Sequence, residues 1–142
     1  IYVEKNYFES AIKDFSEIIN INPQSGEGFY ARSEAYGKSG KLNKALADIN
    51  KTIEFAPENG QAYNNRGIIL SMSGKYEESV ISFSKSLELK PDNVSAYANR
   101  ALSYKSLGKF NEALQDMLTA KEKGGFVNEA ELEELKQLAN KK

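Results

Sequence analysis

The sequence predicts an all-α fold, a solenoid of antiparallel helix pairs closed by a C-terminal capping helix, and three observations predict it. The only prolines, Pro23, Pro57 and Pro91, recur every 34 residues. A small or turn-forming residue recurs on the same interval as Asn6, Gly40, Gly74 and Gly108. Large apolar residues keep step as Phe8, Leu42, Tyr76 and Phe110, and again as Phe15, Ile49, Phe83 and Met117. Self-similarity at a fixed period of this length marks stacked units that bury an apolar face only against one another.

Composition agrees with that class and removes others. The 142 residues are 40% hydrophobic and 27% charged, ordinary for an ordered chain. A net charge of -1 supplies no positive field for phosphate backbones, so nucleic acid is not an expected partner. No apolar run approaches the roughly 18 residues of a bilayer-spanning helix, so no membrane insertion of this segment is expected. With no His and no Cys, imidazole bases, Ser-His-Asp triads, thiolates and the usual transition-metal ligands are missing. No catalytic residue, metal ligand or cofactor is assigned. The lack of Cys leaves the compartment open, a reducing cytosol being preferred only by a little.

Setting each proline at position 32 of a unit gives residues 1–25 as a partial unit, then 26–59, 60–93 and 94–127 as full units and 128–142 as the cap. The partial unit reads as the end of a first helix, a turn at Asn6 and a second helix from Phe8 to Ile21. Ile1 then falls at position 10, partway through a helix, so the natural protein is expected to extend further toward its N-terminus. The second helix is expected to present Phe15 and Ile19 without a full partner, which makes this end the predicted place for weak self-association.

The unit 94–127 shows the physics of all three. Tyr97, Ala101 and Tyr104 share one face of a helix running from about Ser95 to Leu107. Gly108 suits the left-handed conformation that ends a helix, and the stripe Phe110, Ala113, Leu114, Met117 and Ala120 forms the next one. So short a turn makes the pair antiparallel, and the small Ala101 and Ala113 let the axes approach. In the earlier units proline stops the second helix, and Ser25, Asn59 and Asn93 are favoured N-caps for the following first helix. At position 27, Ile18, Thr52 and Ser86 precede Ala120, so looser packing or hydroxyls bonded within the helix are expected there. Gly125 replaces the proline of unit 94–127. Asn128 with Glu131 forms a capping-box pattern that opens the cap, and its stripe is Leu132, Leu135 and Leu138.

These residues resemble the tetratricopeptide repeat family, whose units carry an aromatic at position 4, a small residue at 8, Tyr at 11, Gly at 15, Ala at 20 and 27, and Pro at 32. The match covers nearly the whole chain; Tyr97 to Leu114 reads Y-A-N-R-A-L-S-Y-K-S-L-G-K-F-N-E-A-L, with close relatives from Phe29 and Tyr63. The resemblance implies a right-handed superhelix whose concave wall, built from the first helices, binds a protein or peptide segment. Carried over to this chain, the family's groove positions include Tyr30, Glu34, Gly37 and Lys38, then Asn64, Asn65, Ile68 and Met72, then Asn99, Leu102 and Lys105. Asn65 and Asn99 can donate to and accept from an extended backbone, or can be merely solvated; the first reading is preferred. Ile68, Met72 and Leu102 either form an apolar pocket beside them or pack between units.

The family's carboxylate clamp for acidic chaperone tails needs two Lys, two Asn and one Arg at places that here hold Tyr30, Glu34, Asn65, Ser95 and Asn99. Only Asn65 fits, so that mode does not carry over. Arg32, Arg66 and Arg100 recur at position 7, and Asp14, Asp48 and Asp116 at position 23, with Ser82 breaking the series. Pairing across the interface between units is expected in preference to a free basic ladder.

The function expected is that of a non-catalytic scaffold or adaptor. Self-association or assembly within a larger protein is the alternative, which concentration-dependent mass in light scattering would reveal. A carboxylate-based enzyme and an RNA binder stand behind both. The carboxylates fall on repeated helix positions with no insertion to build a site, and the 34-residue unit is one shorter than that of the RNA-reading pentatricopeptide hairpins.

Overall fold

The computed structural model describes residues 2–141, which form eight helices joined by short turns. They are α1 Tyr2–Ile21, α2 Gly26–Lys38, α3 Leu42–Phe55, α4 Gly60–Met72, α5 Tyr76–Leu89, α6 Val94–Ser106, α7 Phe110–Glu122 and α8 Glu129–Asn140. Each helix packs on its neighbours in sequence, and α2 touches α4 as α4 touches α6. The result is an all-α solenoid.

Local chemistry sets the boundaries. The side chains of Ser25, Asn59 and Asn93 accept hydrogen bonds from the backbone N–H of Gly28, Ala62 and Ala96 at 3.0, 3.1 and 3.2 Å, so each occupies one orphan donor at the start of a helix. Gly40, Gly74 and Gly108 adopt φ of +76°, +75° and +72°, and the residue after each donates back to Tyr36, Leu70 and Tyr104. This left-handed closure turns the chain within three residues and makes each helix pair antiparallel. Asn128 caps α8 by accepting from Ala130 and Glu131, while Leu132 and Leu135 are buried against Met117 and Ala120.

Three expectations are corrected. No turn forms at Asn6; α1 runs unbroken from Tyr2 to Ile21. Asparagine there lacks the freedom of the glycine found at the later turns, and the positive φ that closes each of them is not adopted. Ile19 is buried, since α2 brings Gly28 against it, whereas Phe15 is half-buried. Among the described side chains of α1, the large apolar ones left exposed are instead Tyr7, Ile18 and Ile21.

The third correction concerns the Arg–Asp pairs, which close within a helix pair and not between units. Arg32 donates Nε and Nη2 to Asp48 at 2.7 and 2.9 Å, and Arg100 does the same to Asp116 at 2.7 and 2.8 Å. Position 7 of one helix and position 23 of the next stand opposite across the turn, and the planar fork matches a carboxylate. The remaining nitrogen crosses to the preceding second helix, Arg32 Nη1 to Ser16 and Arg100 Nη1 to Ser84, at 3.0 and 2.9 Å. These bonds hold both guanidinium groups above their already high ordinary pKa, the hydrogen bond to Asp being the main cause and burial opposing it.

At position 27, Thr52 donates within its helix to Asp48 O and across to Gly26 O, while Ser86 accepts from the Asn93 amide. Gly125 is needed for close approach: a Cβ there would run into Val94 and the carbonyl of Ala120.

Candidate functional site

The first helices α2, α4 and α6 carry every candidate groove residue, and the structure gathers six of them. Between α2 and α4 lies a notch of about 210 Å³ lined by Glu34 and Lys38 on one side and Asn65, Ile68 and Met72 on the other, with Ser33, Gly37 and Ile69 at its base. Asn65 donates its amide to Glu34 Oε1 at 3.3 Å, which spans the notch with an exposed, long and easily replaced bond. Met72 is 57% exposed, and Ile68 also rests on the buried cluster of Phe83, Leu87 and Ala96. Ile68 therefore serves both as packing between units and as notch wall.

Tyr30 lines a second hollow of about 560 Å³ with Glu27, Phe55 and Gln61. Its hydroxyl lies near Glu34, Asn65 and Gln61; burial raises its pKa, the Glu34 charge adds to that, and the two amides oppose it. Tyr30 thus stands where the hollow and the notch meet.

The other candidates are placed elsewhere. Asn64 is 1% exposed, and its Oδ1 has no hydrogen-bond partner among the described residues, so this amide points into the protein and offers the groove no surface. Position 5 of α4 faces its neighbouring helices, which polarity alone did not reveal. Leu102 is exposed but lies one helix further on, outside the lining of the notch, so the three-residue apolar pocket is not formed. Asn99 turns its amide to Ser95 in its own helix. Lys105 is claimed by the capping helix, with Glu134 at 2.7 Å and Glu131 at 3.5 Å, and the bond to Glu134 raises its pKa.

Sequence reasoning missed Ser33 and Ile69. Ser33 is 1% exposed, and its hydroxyl has no partner among the described residues. Its signal was a polar side chain at the small-residue position 8. Among the described residues no group of three Asp, Glu, His or Cys is placed to hold a metal, and no helix is long and apolar enough to cross a membrane. Chemically the notch offers an apolar floor beside one carboxylate, one amide and one ammonium group, suited to holding a chain.

Comparison with known proteins bears on the family and the fold. Family models described as tetratricopeptide repeat match residues 26–59 and 49–80, and one described as TPR repeat matches 72–108. No curated protein matches in sequence. The structure is similar to a crystal structure of MamA, with a TM-score of 0.79 and 21% identity over 87% of this chain and 72% of that one. It is also similar to the first TPR of Spaghetti (RPAP3) bound to the HSP90 peptide SRMEEVD, with a TM-score of 0.76 and 22% identity over 80% of this chain and 92% of the other. The TPR2B domain of yeast Sti1 in its pHsp70 complex gives 0.69 and 24%, over 80% and 91%.

Proposed function

The chain belongs to the tetratricopeptide repeat family, and on that premise we propose that it is a non-catalytic scaffold that holds an extended polypeptide segment along the wall of α2, α4 and α6. The observation that carries this reading is the notch between α2 and α4. A partly exposed apolar wall at Ile68 and Met72 gains by burying a side chain, at about 25 cal/mol for each Å² removed from water. The Asn65 amide beside it exchanges its long bond to Glu34 for a peptide carbonyl. Tyr30 and Glu34 extend the contact toward α2, and Asn99 and Leu102 extend it along α6.

Two similar structures hold chaperone peptides by their descriptions. In this chain the clamp positions for an acidic tail are filled by Tyr30, Glu34, Ser95 and Asn99, with only Asn65 of the expected type. The proposed ligand is therefore a segment read through an apolar side chain and its backbone, without a requirement for a terminal carboxylate.

The test is affinity capture from source-cell lysate with the wild type beside an Asn65→Ala, Met72→Glu variant that keeps its helical circular dichroism. A polypeptide retained by the first and lost by the second is the expected result. Equal retention by both would remove the notch from the binding surface.

A further inference from the structure

Arg32, Arg66 and Arg100 are the only arginines of the chain, and two of them are fully engaged. Arg32 and Arg100 each hold an aspartate in a two-bond fork and a serine of the preceding second helix. Arg66 stands at the same place on α4, but Ser82 replaces the aspartate, and one bond remains, Nε to Ser82 Oγ at 3.0 Å. Asn50 stands where Ser16 and Ser84 stand in the other two. Neither terminal nitrogen of Arg66 has a partner among the described residues.

A cavity opens at this place. It measures about 310 Å³, is lined from α3, α4 and α5, and shares no residue with the groove notch. Arg66, Asn50 and Ser82 furnish its donors, with Leu46, Leu70 and Ile81 around them. Ser82 is 1% exposed; its hydroxyl oxygen accepts from Arg66, and its proton has no acceptor among the described residues. The guanidinium carbon lies 5.2 Å from the centroid of the Tyr63 ring, a cation–π contact that helps to hold the group in place.

We propose that this cavity is a receptor for the carboxylate of an acidic side chain on a partner polypeptide, held by Nη1 and Nη2 of Arg66 beside the place that Asp48 and Asp116 fill in the flanking helix pairs. The two free terminal nitrogens present the end edge of the guanidinium, which can also bind a carboxylate through two parallel N–H groups, and the Ser82 hydroxyl and Asn50 amide add donors. A single cation with Glu78 on the same wall suits a monoanion better than a phosphate dianion. The apolar rim, where Ile81 is 65% exposed, suits residues on either side of the acidic one and favours a polypeptide over a small free acid.

Three arginines give three side-chain Nε–Hε signals, so NMR reads the site directly. The probes are a blocked Leu-Asp-Leu peptide, its Leu-Asn-Leu counterpart and sodium acetate, all at constant ionic strength. With the Asp peptide the Arg66 signal is expected to move and saturate while those of Arg32 and Arg100 stay in place, and the Asn peptide moves none. Ser82→Asp, which fills the socket from within, is expected to abolish the response. Glu78→Gln, on the rim, lowers the Kd about twofold to fivefold. Arg66 silent toward the Asp peptide, all three signals moving alike, or Ser82→Asp responding as well as the wild type would each overturn the proposal. Acetate binding as tightly as the peptide would overturn the assignment to a polypeptide.

Discussion

In α2–α3 and α6–α7 the crossing of the two helices is held by a charged clasp beside a medium-sized apolar residue, Ile49 or Met117. In α4–α5 the clasp is reduced to one hydroxyl, and the apolar residue is Phe83, fully buried. The residue facing it changes to match. Ser33 and Ala101 occupy position 8 in the flanking pairs, and Gly67 occupies it in the middle, where a Cβ would lie 2.5 Å from the Phe83 ring. Volume at the crossing is thus redistributed between the two helices while charge is given up. The middle pair relies on burial and the outer pairs on burial plus ionic hydrogen bonds, although all three share one backbone plan.

That contrast can be broken in order of size. Phe83→Ala should cost about 4 kcal/mol in urea denaturation, because the ring has no exposed edge and Gly67 leaves nothing to collapse into its space. A loss near that of an ordinary surface change would show that the middle pair does not depend on the ring. Asp116→Ala should cost about 2 kcal/mol, less than a fully buried pair would, since the Arg100 side chain keeps 18% exposure. Ser82→Ala, measured beside it, should cost less, about 1 kcal/mol, because a single hydroxyl with no counter-charge is lost from a partly exposed guanidinium; equal losses would erase the distinction between the pairs. Gly67→Ala should cost about 1 kcal/mol net, overpacking against Phe83 outweighing the better helix propensity of alanine. Combining it with Phe83→Ile should recover most of that loss, which a double-mutant cycle by thermal melting would quantify.

Much of this was legible in the sequence because repetition supplies its own control. The prolines, the glycines that become left-handed and the three N-caps each announce a boundary through local backbone chemistry, which needs no knowledge of what packs where. The continuous α1 was not legible, because Asn6 was read by analogy with glycines whose positive φ it does not share. The direction of the Arg–Asp pairs was missed as well: periodicity fixed their spacing but not which neighbour a long side chain would choose. The site was harder still. Glu34, Asn65, Ile68 and Met72 converge because successive first helices lie side by side, whereas Asn64, one residue away from Asn65, is turned inward by the helical rotation of about 100° per residue. Lys105 could be assigned its partners only once α8 had been placed against α6.

The coupling of Gly67 with Phe83 also bears on how such arrays are inherited and rebuilt. Two residues sixteen apart in sequence are acceptable together and damaging when separated, as are Arg100 and Asp116. A recombination point falling in the turn between α4 and α5 would deliver a phenylalanine to a helix that no longer has room for it, or an arginine to one without its carboxylate. A point falling between α3 and α4 leaves each such contact inside one fragment. The portable module in this chain is the hairpin, and chimeras cut at the loops that precede the first helices should fold where those cut at the glycine turns do not.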